Sequence, residues 1–466
     1  MFAISRRMLD AASLALELPA GAADAVHFGG DGALPSHYAV TDLAAASVGA
    51  AGLALRQLIL AQGGDAAPVH VDRRLASLWF GWSLHPVGWE RPPLWDPVAG
   101  DYATADGWIR LHTNAIHHRH AALAVLGCAV DRDAVTRAVA GWRGGELEAA
   151  VVGNGGCAAM MRSAAEWAAH PQGVAVAAEP LIAFAPLQPG GAAAAAAAGW
   201  RGAATPGRPL AGLKVLDLTR VLAGPVATRF LAGYGADVLR IDPPDWNEPG
   251  VIPEVTPGKR CARLDLRQPT DRAIFEDLLA RADVLVHGYR PAALEGLGYG
   301  EQFRRALNPG LIDVCLDAYG WTGPLASRRG FDSLVQMSTG IADHGMRMQG
   351  AAKPVPLPVQ ALDHATGYLM AAAVLRGLLF RLTENRATGA RLSLTRTAKL
   401  LVDSTPEAGA QPLAAAGEAD LSPGVEHTEW GAARRLLPPL VVGDAAMAWD
   451  RPAASLGSSA PKFLHF

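Results

Sequence analysis

Apolar residues recur at helical spacing through VTDLAAASVGAAGLALRQL and again through ALDHATGYLMAAAVLRGLLFRL. Each run predicts a long buried helix with one acidic residue, Asp42 or Asp363, at its start. Between them lie short apolar runs suited to buried strands: KVLDL, DVLRI, DVLVH and LIDVCL. Helical stretches from about Val226 and around Phe275–Ala280 separate these runs. Strands alternating with helices predict an α/β domain with a parallel sheet and right-handed crossovers, a Rossmann-like layer. The chain ahead of this pattern reads as a smaller, mainly helical α+β part. Its strand pair is expected at DYATADGWIRLH, turning at Asp106-Gly107. There is also an internal echo. An acidic residue, an apolar helix, a short loop and a strand recur in that order after Asp42 (VHVDRRLASLWF) and after Asp363 (RLSLTRTAKLLVD), which points to an ancient duplication.

The stretch from Pro186 to Pro209 is rich in Ala, Gly and Pro and reads as a linker. It divides the 466 residues into a first part, 1–185, and a second, 210–466. Half the residues are apolar and 18% are charged, which excludes global disorder. A net charge of −3 supplies no long-range attraction for nucleic acid. Cys128, Cys157, Cys261 and Cys315 form no CxxC pair, so no metal site and a reduced, cytoplasmic setting are expected. The start imitates a signal peptide, but Asp10 and Glu17 interrupt it. No stretch reads as long and apolar enough to span a membrane, and a soluble protein without a membrane partner is expected.

At a helix start, unpaired N–H groups and the positive dipole end favour an ionised carboxylate. Two roles therefore fit Asp363: a helix cap, or a catalytic carboxylate held charged at the mouth of a pocket. The first strand-to-helix turn of the second part, Leu222-Ala223-Gly224-Pro225, lacks the Gly-rich phosphate cradle of a dinucleotide fold, so NAD and FAD are disfavoured. Basic residues gather near strand ends instead: Lys259, Arg260, Arg267, Arg290, Arg328 and Arg329. Either they are solvated loop charges, or they converge on a multiply phosphorylated ligand.

The motifs LAGLKVLDLTRVLAGPVATRFLAGYGADVLRID, GKRCARLDL, ADVLVHGYRPAALEGLG, NPGLIDVCLDAYGWTGP, RRGFDSLVQMSTG and ALDHATGYL resemble, in order and spacing, the family III coenzyme A-transferases. The tail from Glu426 to Gly457 resembles the ending of one subgroup. DYATADGWIRLH and MMRSAAEWAAHPQG resemble the family's smaller domain. The resemblance implies that Asp363 is the catalytic aspartate. It also implies that coenzyme A is lined by Leu222 and Ala223, by Leu264, Asp265 and Arg267, by Gly288, Tyr289 and Arg290, and by Arg329. The family order is rearranged, with small-domain-like sequence first, so 1–185 looks like a degenerate partial copy. Pro243 directly after Asp242, and Gly288 before Tyr289, depart from the usual pattern.

What the resemblance implies is transfer of coenzyme A between an acyl-CoA and a carboxylic acid through an aspartyl intermediate. No permanently bound cofactor is implied, and a homodimer is. Two alternatives are an α-methylacyl-CoA racemase or epimerase and an inactive CoA-binding scaffold. The racemase branch carries a His where this chain has Phe331, and His364 is expected to be a partly exposed helix-start residue that makes a poor partner for Asp363. The Gly-containing turns TGIADHG and GNGGC are candidates for shielding or for oxyanion donors, GNGGC a weak one. Asp42 is expected to lack a sheet ahead of it and to be no nucleophile.

Overall fold

The computed structural model describes residues 2–65, 67–186, 200–202, 205, 207–406 and 411–464. Its central sheet has seven strands, ordered Lys259–Arg263, Asp237–Asp242, Lys214–Leu218, Val284–His287, Ile312–Asp317, Thr388–Ser393 and Ala183–Pro186. The first six are parallel, and Ala183–Pro186 closes the edge antiparallel to Thr388–Ser393. The apolar runs are explained by burial on both faces. Val215, Val238, Val284 and Val314 pack with the helices Ala223–Gly233 and Ala361–Glu384. Leu216, Leu239 and Leu285 pack on the other side with Phe275 and Leu279 of helix Pro269–Arg281. Numbered along the chain, the parallel strands lie 3-2-1-4-5-6. Their order reverses between Lys214–Leu218 and Val284–His287, which opens a crevice beyond the carboxyl ends of those two strands.

Residues 187–199, 203, 204 and 206 of the expected linker, with its Ala192–Ala198 run, lie outside the described residues. The parts on either side of it share one core. Helix Val40–Ala61 packs along helix Ala361–Glu384, so Leu43 and Leu53 join the same apolar cluster as Leu369 and Val374. The expectation that no segment is long and apolar enough to span a membrane is corrected here. These two helices, of 22 and 24 residues, meet that length and apolarity, and both are mostly buried inside the fold. Their apolar character serves this mutual contact.

The internal echo is a structural repeat. Strand Val26–Gly29 runs parallel to Val69–Asp72 around helix Val40–Ala61, as Ile312–Asp317 runs parallel to Thr388–Ser393 around helix Ala361–Glu384. Each unit leads into a capped helix. Asp72 accepts from the Leu75 N–H and Ser393 from the Arg396 N–H, each 30 residues beyond its acidic residue. Each outer edge is covered by one antiparallel strand, Leu440–Val442 or Ala183–Pro186. Asp42 therefore does have a strand ahead of it, contrary to expectation.

The tail ties the ends together. Hairpin Leu421–Thr428/Gly431–Leu436 extends onto Leu84–Pro86. Under it lies a buried polar node. The Glu254 carboxylate accepts from the Ser83 hydroxyl at 2.5 Å and from the Ser83 and Leu84 N–H groups at 3.1 and 3.0 Å. It also pairs with Arg229. The expected hairpin at Asp106-Gly107 is present, with Gly100–Thr104 paired to Gly107–Leu111.

Candidate active site

The crevice at the strand-order reversal holds a cavity of about 360 Å³. One wall is the loop after Lys214–Leu218, including Leu222 and Ala223; opposite it are Gly288, Tyr289 and Arg290, which follow Val284–His287. Asp363 reaches the cavity from the first turn of helix Ala361–Glu384. Glycine permits that approach. A Cβ on Gly367, one turn beyond Asp363, would stand 2.4 Å from the Ala223 carbonyl oxygen. The loop itself is strained, since Val221 adopts φ +63°, a left-handed conformation that a β-branched residue avoids at a cost of about 1–3 kcal/mol.

The charge state expected for Asp363 is corrected. The N–H groups of Leu362 and Asp363 donate to Asp332 Oδ2 at 2.8 and 3.0 Å, so Asp332 caps the helix. Among the described residues no hydrogen bond reaches the Asp363 carboxyl. Burial, and then the neighbouring Asp332 charge, push its pKa well above the ordinary carboxylate range. Asp332 is also raised by burial, but these backbone bonds and the Gln336 amide favour its ionised form. The resting pair therefore keeps its charge on Asp332 and its proton on Asp363.

Of the other residues singled out in the sequence, Arg329 lies at the cavity mouth, where Arg290 and Arg329 are both exposed. The Arg290 guanidinium makes no hydrogen bond or ion pair among the described residues, and that of Arg329 makes one contact at 3.3 Å to the Gly155 carbonyl of the GNGGC loop. The remaining five do not line the cavity. Lys259 opens its strand rather than closing it, and its buried Nζ donates to Asp217, Pro225 O and Thr228. Arg260 points to Asp237 and the Lys462 carbonyl. Leu264 is core, while Asp265 and Arg267 bind one another. Convergence therefore holds for Arg290, Arg328 and Arg329. It fails for Lys259 and Arg260, at the amino end of their strand, and for Arg267, which lies past the carboxyl end of that edge strand and pairs with Asp265.

His364 is buried, not partly exposed: it stacks on Phe80 at 5.0 Å, and burial drives its pKa to about 3. Phe331 lines the cavity and stacks on His112 at 3.7 Å. Asp242, which in a dinucleotide fold would face ribose, is buried against Arg240 at 2.8 Å. Asp42 is held by Ser5 and by Arg73 at 2.9 Å.

Sequence reasoning missed three contributors. His117 and His118 enter the cavity from helix Ile116–Leu126 of the first part, and Arg220 lies over the rings of Trp246 and Tyr289. The dipeptide His117-His118 was the available signal, and only tertiary packing connects it with Asp363.

Comparison with known proteins adds to this geometry. Residues 210–432 match CoA-transferase family III. An acetyl-coenzyme A transferase of Hypoxylon pulicicidum is 39% identical over 182 residues, 38% of this chain and 31% of that protein. A probable fatty acyl-CoA transferase of Mycobacterium tuberculosis is 35% identical over 190 residues, 38% of this chain and 48% of that protein. Succinyl-CoA:glutarate CoA-transferase of Mus musculus is 33% identical over 189 residues, covering 37% and 42%. The crystal structure of the mycobacterial protein aligns with 42% of this chain and 56% of its own at 32% identity and a TM-score of 0.40. The chain thus spans less than half the length of these three curated relatives.

Proposed function

We propose that this chain, whose residues 210–432 belong to CoA-transferase family III, moves coenzyme A between an acyl-CoA and a carboxylic acid through Asp363. The observation that carries the reading is a buried carboxyl with no hydrogen-bond partner among the described residues, set in the cavity at the point where the strand order reverses. A structural aspartate would be paired. Asp363 gives its helix-capping task to Asp332 and keeps its own oxygens for a substrate.

In this reading the Asp363 carboxylate, once ionised, attacks the thioester carbonyl. The C–S bond breaks, its electron pair leaves as CoA thiolate, and a mixed anhydride remains. Return of the thiolate to the aspartyl carbonyl expels the first carboxylate, and the acceptor acid then recovers CoA by the reverse sequence. The exchange consumes no net proton. Burial of Asp363 and the apolar wall of Leu222, Leu316 and Leu394 keep water from the anhydride. Arg290 and Arg329, with few partners of their own, suit the phosphates at the mouth, and the groove beyond them is lined by both. A cytoplasmic setting and a homodimer belong to the same reading, through the four free thiols and the family resemblance.

The test is chromatographic. Purified protein with acetyl-, succinyl- or palmitoyl-CoA and a panel of free acids should yield the acceptor's thioester, and Asp363→Asn should abolish it. Thioester exchange that persists in Asp363→Asn would remove the proposal.

A further inference from the structure

The first part of the chain carries a side chain into the cavity whose position has no structural explanation. His118 is 4% exposed, and its Nδ1 is buried with no hydrogen-bond partner. Its ring contacts His117 at 4.1 Å and Phe331 at 5.9 Å, and it lines the same cavity as Asp363. No hydrogen bond is made by Nε2 among the described residues, and Nε2 is not enclosed as Nδ1 is. A buried polar ring without partners is costly, by about 1–3 kcal/mol. Such a group persists where a ligand supplies the missing partner.

Building on the CoA-transfer reading, we infer that His118 is a catalytic residue whose neutral Nε2–H donates to the oxyanion formed when Asp363 attacks the thioester. The step balances without proton transfer. The new Asp363 Oδ–C bond forms, the carbonyl π pair moves onto oxygen, and the hydrogen bond from Nε2 stabilises that oxygen. Collapse of the oxyanion then expels the thiolate. A neutral donor is what these surroundings maintain. Burial, followed by His117 and the Arg329 charge, holds the His118 pKa at about 3. Arg220, Arg290 and Arg328 are the other cations lining the cavity, while Asp317 and Asp363 are both pushed toward their neutral forms by burial. A preorganised donor in a dry cavity contributes about 10²–10³ in rate.

The experiment is rapid-quench mass spectrometry of the acyl adduct on the whole chain, with acetyl-, succinyl- and palmitoyl-CoA, for wild type, His118→Ala and His118→Gln. Adduct formation should fall about 100-fold in His118→Ala with CoA affinity held within about threefold. His118→Gln, which restores a neutral N–H donor, should recover at least about tenfold of that loss. The wild-type and His118→Ala profiles should keep the same shape between pH 5.5 and 8.5, since a neutral donor does not titrate there. An His118→Ala rate within about threefold of wild type would overturn the inference, as would a wild-type decline across pH 6–7 that His118→Ala lacks. No adduct in wild type with any thioester is a different failure, because it removes the CoA-transfer reading itself.

Discussion

Replacing Glu254 by Gln should loosen the first part of the chain from the sheet. Glu254 is wholly buried, and its two oxygens serve two backbone N–H groups, one hydroxyl and the Arg229 guanidinium, with Arg435 at 3.9 Å. Gln keeps one acceptor but turns an amide NH₂ toward groups that are themselves donors. It also leaves the buried Arg229 without a counter-charge, while Arg435 keeps its pair with Glu426 at 2.6 Å. Breaking a buried pair from one side costs roughly 3–5 kcal/mol, against a total domain stability of about 5–15 kcal/mol. Burial raises the Glu254 pKa, but Arg229 and Arg435 outweigh it and hold the carboxyl below its usual range. A depressed folded value means that the contribution is present above the unfolded value of about 4.3 and lost as pH falls through the folded one. Urea unfolding should therefore show the full deficit at pH 7, narrowing as the pH is lowered below about 4. Limited proteolysis at pH 7 should cut the variant around Ser83 first. A loss under about 1 kcal/mol at pH 7, or one that does not narrow in acid, would refute the account of this node.

Lys259→Met should cost roughly 3–5 kcal/mol by stranding the buried Asp217 charge, yet leave the calorimetric Kd for CoA unchanged. Arg290→Ala should do the opposite, and a tenfold weaker Kd in Lys259→Met would contradict both assignments. Asp332→Asn removes the negative charge beside Asp363, so Asp363 ionises at lower pH and the rise of adduct formation with pH should move to the acid side. A shift to higher pH would show that Asp332 does not act on Asp363 through charge. Asp42→Asn should leave the rate of CoA exchange within about twofold of wild type, because Asp42 is consumed by Ser5 and Arg73.

The strands Lys214–Leu218, Asp237–Asp242, Val284–His287 and Ile312–Asp317 were legible because each is a short apolar run buried on both faces. The edge strand Lys259–Arg263 and the helices between 301 and 349 were not among the elements expected. The position of Asp363 was legible because it is the acidic residue at the start of a long apolar helix. Its protonation state was not, because the carboxylate that caps its helix, Asp332, stands 31 residues earlier and comes near only through the insertion between Asp317 and Ala361. Lys259 and Arg260 misled because they open their strand, and in a parallel sheet the amino ends face away from the crevice. His118 was illegible because it belongs to a different part of the chain, whose helix reaches the cavity only through tertiary packing. The repeat headed by Asp42 and Asp363 was visible as an echo; its matched edge strands, Leu440–Val442 and Ala183–Pro186, come from distant sequence that no local pattern links to either helix.

The central claim is a covalent bond to Asp363, and intact-protein mass spectrometry tests it most directly. Wild type and Asp363→Ala are incubated with acetyl-, succinyl- and palmitoyl-CoA, quenched in acid and mapped by peptide. The account predicts a mass gain equal to an acyl group or to CoA, located on the peptide containing Asp363 and absent from Asp363→Ala. CoA binding without any adduct, or an adduct that persists in Asp363→Ala, would contradict it.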